Sequence, residues 1–290
     1  MRGLIPAWVA TALLCAPAWG QTGPLRIVAA ENFYGDVAHQ LAGPRASVVS
    51  ILSNPDEDPH LFEASPSVAR NLSSAQIVAC NGADYDPWME KLLDSARATH
   101  RQTIVVADLV HRHAGDNPHL WYDPATMPAF SRALEADLAA ADPAHRDDYA
   151  RRLDIFVASL RPLDERIAAL RRKYAGQPVT ASEPVFGYMA AALGLVMRNE
   201  GFQLSVMNDT EPAASDVAAF ERDLRRHAVR VMIYNSQAAD PAVQRLLAVA
   251  KQSGVPVTGV TETEPPGKDY QHWMLDQLDA LDRAMSHPAS

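Results

Sequence analysis

The chain has 290 residues, of which 48% are hydrophobic and 21% charged, and its formal net charge is −9 at pH 7. A chain of this length can bury one large core or two ordinary ones. Its acidic balance, without a cluster of lysine and arginine, argues against nucleic acid and anionic membrane surfaces as partners.

Residues 1–20 have the pattern of a secretory signal peptide. Arg2 gives a short basic start, residues 4–16 form an apolar run, and Ala18-Trp19-Gly20 precedes the expected cleavage before Gln21. The apolar run is shorter than the roughly 20 residues that a membrane-spanning helix needs. We therefore expect export to the periplasm and no membrane insertion of the mature chain.

Cys15 raises the question of a lipid anchor, but Leu14 before it is larger than the small residue that lipid-attachment sites use. We therefore expect a soluble exported protein rather than a lipid-anchored one. Cleavage would remove Arg2 and change the net charge from −9 to −10. It would also leave Cys80 as the single cysteine, which excludes an internal disulfide in the mature chain.

Short apolar strands alternate with amphipathic helices in the first half of the mature chain. The predicted strands are 25–30, 47–52, 77–80 and 103–107, and the predicted helices are 33–41, 65–72 and 88–96. Ser65 followed by Pro66 is typical of a helix start. Strands that alternate with helices predict a parallel sheet covered by helices.

A helical pattern rich in alanine, leucine and arginine replaces this alternation between residues 126 and 174. Pro143 suits the first turn of a new helix, and Pro162 should kink or interrupt it. We predict a long linking helix over residues 142–174. It would join an N-terminal α/β lobe at 21–141 to a C-terminal α/β lobe at 175–290.

The alternation resumes in the second half. The predicted strands are 179–181, 229–234 and 255–260, and the predicted helices are 185–193, 215–227, 241–253 and 270–285. The expected fold class is therefore α/β, with two lobes whose parallel-type sheets are covered by helices and joined by a long spine helix.

One pentapeptide occurs twice with little change. Asp58-Pro59-His60-Leu61-Phe62 recurs as Asn117-Pro118-His119-Leu120-Trp121, which places the two histidines 59 residues apart. A single copy would be better explained by a loop anchor whose imidazole hydrogen-bonds backbone. Two copies favour two ligands of one site, because neutral imidazole is the commonest metal-binding side chain.

Two glutamates occupy corresponding places in the second half. Glu183 follows the predicted strand 179–181, and Glu262 follows the predicted strand 255–260. Open α/β sheets bind ligands beyond the carboxyl ends of their strands. Two neutral imidazoles and two carboxylates carry a charge of −2, which matches a divalent cation. Either glutamate alone would be better explained as a neighbour of a helix N-cap or an exposed charge, but their symmetry with the two histidines favours a metal site.

Several motifs together resemble one known family. They are Asp58 to Glu63 followed by Ser65-Pro66-Ser67, Asn81-Gly82 with Pro87-Trp88, Asn117 to Trp121 with Asp123-Pro124, Phe186-Gly187-Tyr188 after Glu183, and Glu211-Pro212 before a helix. Over essentially the whole mature chain they are similar to the periplasmic zinc- or manganese-binding proteins of metal ABC importers, the zinc-uptake and manganese adhesin-like cluster A-I solute-binding family.

The resemblance implies two lobes that hold one metal ion between four side chains. Carried over by position, these are His60, His119, Glu183 and Glu262, with Glu264 as the alternative to Glu262. It also implies a protein that is not an enzyme. It would capture a divalent transition-metal ion and deliver it to the membrane permease of a metal ABC importer. We expect it to act as a monomer.

The chain departs from the zinc-uptake pattern in three respects. The third ligand of that pattern is usually histidine, whereas glutamate, as at Glu183, is typical of manganese-type members. The fourth ligand is usually aspartate. The long histidine-rich loop of many zinc-uptake members is missing, with only His111 and His113 near its place.

The types of donor atom do not decide which metal ion is bound. Two nitrogens and two oxygens suit zinc as a tetrahedron, or Mn²⁺ or Fe²⁺ if the carboxylates each chelate with two oxygens. Intrinsic affinity favours zinc over manganese, so Zn²⁺ is the favoured ion. Candidates for orienting the ligands, each equally consistent with a cap or loop role, are Asp58, Glu63, Asp123, Glu211, Asn235 and Glu264.

Two other functions have to be weighed. A zinc hydrolase would keep an open metal position and use Glu262 or Glu264 as a general base, but no His-Glu-x-x-His helix is present. A protein of the same architecture that binds an organic metal chelate would have an aromatic-lined cleft. It would also keep its function without His60 or His119.

Overall fold

The structure is a computed structural model that describes residues 23–54, 62, 65–96, 98, 100–238 and 240–286. The expected signal peptide at 1–20 lies outside the described residues, and so does its cleavage site before Gln21. Three candidate site residues, Asp58, His60 and Glu63, also lie outside them.

All strands of the described chain belong to one of two sheets. They are β1 Leu25–Glu31, β2 Ala46–Leu52, β3 Ile77–Cys80, β4 Gln102–Val105, β5 Pro178–Ala181, β6 Val196–Arg198, β7 Met232–Asn235 and β8 Val257–Val260.

Helices precede, connect and follow these strands. They are α1 Asn32–Ala42, α2 Pro66–Ser74, α3 Pro87–Ser95, α4 Val106–Leu109, α5 Thr126–Ala141, α6 Arg146–Ser159, α7 Arg161–Tyr174, α8 Gly187–Ala192, α9 Glu200–Met207, α10 Ala214–Arg225, α11 Pro241–Gln252 and α12 Tyr270–Ser286. Within the described ranges, no helix is both long enough and apolar enough to cross a membrane.

The two sheets have equivalent topology. The strand order is β2-β1-β3-β4 in the first sheet and β6-β5-β7-β8 in the second, and every pairing is parallel. We call the first sheet with its helices the first lobe and the second sheet with its helices the second lobe. The predicted two-lobe α/β fold class is confirmed. In each lobe the strand order reverses beside the first strand, where open α/β sheets bind ligands.

The segment between the sheets is helical but interrupted. A 3₁₀ turn at Pro143–His145 leads into α6, and Leu160 separates α6 from α7. Pro162 lies at the start of α7, where its missing N–H is tolerated, so the interruption expected there is present. Helix α6 packs on α1 and α5, whereas α7 packs on α12.

Some elements differ from the sequence-based expectation. Residues 106 and 107, predicted as strand, belong to the short helix α4. Strand β6 and helix α9 were not predicted. Strand β6 has three residues at the edge of its sheet, and its burial pattern is exposed, intermediate, exposed. So short and exposed an edge strand leaves no hydrophobic alternation to detect.

The buried core is continuous between the lobes. One cluster of buried apolar side chains includes Phe33 and Trp121 from the first lobe and Phe186 and Trp273 from the second. The ring centroids of Phe33 and Trp121 are 4.6 Å apart, and those of Phe33 and Trp273 are 5.9 Å apart. Cys80, at the end of β3, is buried with a free thiol.

Candidate metal centre

The candidate ligands of the second lobe lie where its strands end. Glu183 follows β5 by two residues and Glu262 follows β8 by two residues, while Asn235 is the last residue of β7. All three are buried, with exposed fractions of 6%, 2% and 3% respectively. The carboxyl ends of neighbouring parallel strands meet at one edge of a sheet, and this brings the three side chains together.

His119 approaches this edge from the first lobe. It precedes a 3₁₀ turn at Leu120–Tyr122 whose side chains are fully buried, and its own side chain is 0% exposed. Asn81 Nδ2 donates to the carbonyl oxygen of Pro118 at 2.8 Å. The aromatic rings of Trp121 and Tyr85 lie beside the imidazole, with centroids at 5.4 Å and 6.0 Å. Packing and hydrogen bonding therefore fix the backbone and the ring of this residue.

Asn117 determines which imidazole nitrogen faces the centre. Its Oδ1 accepts the backbone N–H of His119 at 3.2 Å and lies 2.7 Å from His119 Nδ1. Because Oδ1 is an acceptor, Nδ1 carries the proton and Nε2 keeps its lone pair. Nε2 has no hydrogen-bond partner in the described part of the chain. A metal-binding histidine needs this arrangement.

The same asparagine reaches the loop that carries Glu183. Asn117 Nδ2 donates to the carbonyl oxygen of Pro184 at 2.7 Å, and Tyr188 OH donates to the carbonyl oxygen of Asn117 at 2.7 Å. Gly187 allows this approach, because a Cβ there would lie 2.8 Å from Asn117 Nδ2. The loops bearing His119 and Glu183 are thus held together across the two lobes.

Glu262 is oriented by neutral donors. Asn235 Nδ2 donates to its Oε1 at 2.6 Å, and Tyr85 OH donates to its Oε2 at 3.0 Å. Its backbone N–H donates to Gln237 Oε1 at 2.5 Å. Neither side-chain donor carries a positive charge, so these bonds orient the carboxylate without neutralising it. A buried carboxylate of this kind favours a bound cation nearby.

The separation between His119 and Glu262 suits a shared ion. Nε2 of His119 and Oε2 of Glu262 are 3.6 Å apart, which is too long for a hydrogen bond. Two ligand atoms on tetrahedral zinc lie roughly 3.3 Å apart, given zinc–ligand bonds of about 2.0–2.1 Å. Glu183 joins this pair through Asn235, whose Nδ2 lies 3.4 Å from Glu183 Oε2.

These side chains are not a complete metal site without further ligands. Within the described ranges, no three His, Cys, Asp or Glu side chains are grouped so that they could hold a metal ion. His60, the fourth predicted ligand, lies outside the described residues. The described part of the centre consists of the His119–Glu262 pair and a third carboxylate linked to it by an amide.

Glu264 has different surroundings from Glu262. Its backbone exchanges two hydrogen bonds with the Asn32 side chain, at 2.7 Å and 3.0 Å. Burial, and then the charges of Asp36 and Asp269, raise the pKa of Glu264 to about 9. Glu262 Oε2, by contrast, lies 3.6 Å from His119 Nε2, and this position favours Glu262 over Glu264 as the fourth ligand.

Two of the remaining candidates for orienting the ligands, Asp123 and Glu211, have contacts elsewhere than with the predicted ligands. Asp123 Oδ1 accepts the backbone N–H of Ala125 at 3.0 Å, just before α5, and its other oxygen faces Arg112 at 4.0 Å. Glu211 is exposed and lines a surface pocket beside α10. Of the orienting candidates in the described chain, Asn235 is the one with hydrogen bonds to the predicted ligands.

Tyr85 and Asn117 were not among the predicted site residues. Burial, followed by the charge of Glu262, raises the pKa of Tyr85 well above its ordinary value, so the phenol stays a hydrogen-bond donor. Its partner is 177 residues away in the chain, and no local pattern signals that contact. Asn117 did have a signal, since Asp58 holds the same place in the other pentapeptide.

A carboxyl pair supports the loop that carries Tyr85. Asp86 accepts the backbone N–H groups of Asn81 and Gly82 at 2.7 Å and 2.8 Å. Burial, followed by the charge of Asp86, raises the pKa of Glu31 well above its usual range. A protonated Glu31 carries no charge, so the two buried acids avoid mutual repulsion.

Comparison with known proteins agrees with this architecture. Residues 27–284 match the model of a family described as zinc-uptake complex component A, periplasmic. The chain is 21% identical over 285 residues to the iron ABC transporter substrate-binding lipoprotein MtsA of Streptococcus pyogenes serotype M1, covering 90% of this chain and 89% of that protein. It is 20% identical over 286 residues to the manganese ABC transporter substrate-binding lipoprotein PsaA of Streptococcus anginosus, covering 90% and 89%.

The same fold occurs in a solved structure. The periplasmic zinc binding protein TroA from Treponema pallidum superimposes with a TM-score of 0.76 over 91% of this chain and 99% of that chain. The sequence identity in this comparison is 17%, so the likeness establishes the fold.

Proposed function

Since this chain belongs to the zinc-uptake complex component A family, we propose that it is a periplasmic solute-binding protein that captures a divalent transition-metal ion between its two lobes. The loaded protein would deliver the ion to the membrane permease of an ABC importer. The relatives named as substrate-binding proteins of iron and manganese ABC transporters support this proposal.

The observation that carries the proposal is the pairing of His119 with Glu262. A buried imidazole nitrogen and a buried carboxylate oxygen lie 3.6 Å apart, close to the spacing of two ligands on one ion. Asn117 keeps the lone pair of His119 Nε2 free for a metal, and Tyr85 and Asn235 orient Glu262. We propose His60, His119, Glu183 and Glu262 as the four ligands.

We propose Zn²⁺ as the favoured ion, with Mn²⁺ and Fe²⁺ next. The relatives carry different metals in their names: zinc for TroA, iron for MtsA and manganese for PsaA. Membership of the family therefore does not decide which metal ion this chain binds. Intrinsic affinity at a site of nitrogen and oxygen ligands favours zinc.

We further propose binding without catalysis, by a monomer that makes no contact with nucleic acid. The relatives named above are substrate-binding proteins, which supports transport rather than a zinc hydrolase. The proposal places the protein in the periplasm after cleavage before Gln21. The streptococcal relatives are lipoproteins by name, so the intact mass of the exported protein, with or without added lipid on Cys15, tests the expectation of a soluble form.

Metal content measured by elemental mass spectrometry tests the function. Wild-type protein isolated from the periplasm should contain about one zinc per chain. His119→Ala and Glu262→Ala should each lose most of it, because each removes a ligand from the ion.

His39→Ala is the matched control, since His39 lies on an exposed position of α1. It should keep the wild-type metal content. A wild-type protein that stays metal-free after equilibration with zinc, manganese and iron would overturn the proposed function. Equal metal content in wild type and His119→Ala would remove His119 from the ligand set.

A further inference from the structure

The side-chain amide of Asn235 lies between the two buried carboxylates of the centre. Its Nδ2 donates to Glu262 Oε1 at 2.6 Å and lies 3.4 Å from Glu183 Oε2. A primary amide has two N–H groups, so one nitrogen can serve both carboxylates at once. One oxygen of each carboxylate is therefore directed at the same amide group.

The orientation of this amide is fixed on its other side. Asn235 Oδ1 accepts the backbone N–H of Gln237 at 3.0 Å, which leaves Nδ2 to face the carboxylates. The backbone N–H of Asn235 donates to Ser182 Oγ at 3.0 Å, next to Glu183 in the chain. At 3% exposure, as the last residue of β7, Asn235 has little freedom to turn away.

This arrangement restricts how the carboxylates can coordinate an ion. A carboxylate that chelates an ion presents both of its oxygens to it. Glu262 Oε1 accepts from Asn235 at 2.6 Å, while Oε2 accepts from Tyr85 at 3.0 Å and lies 3.6 Å from His119 Nε2. A carboxylate oxygen can accept a hydrogen bond and bind an ion at the same time. Turning Oε1 toward the ion on Oε2 would nevertheless weaken the shorter of the two hydrogen bonds, because the Asn235 amide is fixed on its other side and cannot follow. If each carboxylate binds the ion through one oxygen, the hydrogen bonds from the Asn235 amide to both Glu183 and Glu262 are kept.

Coordination number separates the candidate metals. Two imidazoles and two one-oxygen carboxylates give four ligand atoms, which suit a zinc tetrahedron. Manganese and iron take more oxygen ligands, which the same residues could supply by chelating with both oxygens of each carboxylate. A residue that disfavours chelation therefore lowers affinity for manganese and iron relative to zinc.

We propose that Asn235 is a positioning residue that holds Glu183 and Glu262 to one-oxygen coordination and so increases the preference of the centre for zinc over manganese. The inference rests on the proposed function, since it concerns the same site and the choice of its ion. It adds a physical reason for zinc that the identities of the four ligands do not contain.

Two substitutions test it. Asn235→Leu has a similar shape and removes both N–H donors. Asn235→Asp keeps an oxygen for the N–H of Gln237 and replaces both donors with a carboxylate oxygen, which also adds a negative charge beside Glu183 and Glu262. Agreement between the neutral and the charged variant therefore assigns the effect to the lost donors. Gln203→Leu is the matched control, because Gln203 is a buried amide of the second lobe, 2% exposed, whose Nε2 donates to the carbonyl oxygen of Arg198 at 2.7 Å.

The first readout is the ratio of the dissociation constants for manganese and zinc, measured by competition with a chromophoric chelator on the full mature chain. Substitutions around metal ligands typically change affinity about 10- to 100-fold. We expect the ratio to fall about 10-fold in both Asn235 variants and to stay at the wild-type value in Gln203→Leu.

The second readout is the visible spectrum of the cobalt(II)-loaded protein, which a general loss of stability does not imitate. Four-coordinate cobalt(II) absorbs visible light far more strongly than five- or six-coordinate cobalt(II). We expect strong bands in wild type and Gln203→Leu and weak bands in both Asn235 variants.

The outcomes separate the two proposals. A wild type that binds zinc, with an unchanged metal ratio and unchanged cobalt bands in the Asn235 variants, would overturn the role of Asn235 and leave the proposed function standing. Wild-type protein that binds none of the three ions would overturn the proposed function itself.

Discussion

The side chain of Asn117 acts on two loops with its two polar atoms. Oδ1 accepts from the backbone and from Nδ1 of His119, while Nδ2 donates to the carbonyl oxygen of Pro184, next to Glu183. The tautomer of His119 and the position of the loop that carries Glu183 therefore both depend on Asn117. The two effects can be separated by chemistry, because aspartate keeps the acceptor and removes the donor.

Asn117→Leu should lower zinc affinity about 10- to 100-fold, because His119 Nδ1 loses the acceptor that fixes its tautomer and ring position. Asn117→Asp should stay within a few-fold of wild type, since it keeps that acceptor. Zinc titration in competition with a chelator measures both variants, and circular dichroism checks their fold. Wild-type affinity in Asn117→Leu would show that the tautomer is fixed by other contacts.

At the scale of single residues, the sequence offers a signal for candidate ligands more often than for the residues that would support them. His60 and His119 could be proposed as ligands because each stands in a recognisable pentapeptide, between a proline and an apolar pair. Tyr85 could not be inferred, since its hydroxyl contacts Glu262 from the other lobe. Asp123 and Glu211 follow family motifs, yet the structure places them at a helix start and on an exposed surface.

Among the secondary-structure elements, α7 and α12 are joined by a network of charges. Arg166 donates to Asp279 and Asp282 at 2.9 Å each. Lys173 and Tyr174 OH donate to Asp282 Oδ1 at 2.7 Å and 2.6 Å. Asp282 accepts from three side chains of α7 and is the centre of the network. This contact fastens the linking segment to the last helix of the second lobe.

The network makes part of the stability depend on pH. Partial burial acts to raise the pKa of Asp282, but hydrogen bonds from Lys173, Tyr174 and Arg166 outweigh it and hold that pKa well below its usual range. A carboxyl whose pKa is lower in the folded state stabilises the fold fully above its unfolded pKa of about 3.9. That contribution is lost as the pH falls from there through the folded pKa.

Asp282→Asn should lower the free energy of unfolding by about 1 kcal/mol at pH 7, because it removes the carboxylate charge at the centre of the network. The loss is no larger because the network is partly exposed to solvent, which weakens its ion pairs. For a protein of this size that is about 2–4 °C in the melting temperature. The difference from wild type should shrink as the pH is lowered below about 4. Thermal unfolding followed by circular dichroism at several pH values measures it.

Asp276→Asn provides the control on the same helix. Asp276 pairs with Lys268, and the two side chains are 55% and 40% exposed. Exposed pairs of this kind contribute roughly 0–1 kcal/mol. The control should shift the melting temperature less than Asp282→Asn at pH 7. Equal shifts for the two variants would contradict a special role for the Asp282 network.

The helices and strands themselves were largely predictable. The interruption before Pro162 follows from a local rule, since proline is tolerated in the first turn of a helix and disfavoured within it. In α7 the buried residues Leu163, Ile167, Leu170 and Tyr174 recur three and four positions apart, so its pattern was visible. Strand β6 owes its place to pairing with β5, a tertiary effect that three residues cannot signal.

Across the whole molecule, buried contacts tie the lobes together. Tyr122 OH donates to the carbonyl oxygen of Thr261 at 2.8 Å, and Tyr270 OH donates to the carbonyl oxygen of Trp121 at 2.7 Å. Thr261 immediately precedes the proposed ligand Glu262. The cluster of buried apolar side chains shared by both lobes adds to these hydrogen bonds, and large apolar contacts between domains oppose relative motion.

The boundaries of the lobes at residues 141 and 175 remain a prediction. The continuous core is a reason to treat the division as one of sheets rather than of independent folding units. Opening the lobes would expose Phe33, Trp121 and Trp273 to water, and burying an aromatic side chain contributes about 1.5–3 kcal/mol. A hinge that exposes several such rings would demand more free energy than a small movement of the ligand loops.

We therefore expect the metal-free and zinc-loaded proteins to have nearly the same overall dimensions. For about 270 residues the radius of gyration should be roughly 18 Å, and it should change by less than about 0.5 Å on loading. Small-angle X-ray scattering of chelator-treated protein, before and after one equivalent of zinc, measures the change. A contraction of more than about 1 Å would indicate hinge closure and would mean that the buried aromatic contacts between the lobes break in the metal-free state. With unchanged dimensions, the permease would have to recognise the loaded state from local differences in the loops around His119, Glu183 and Glu262.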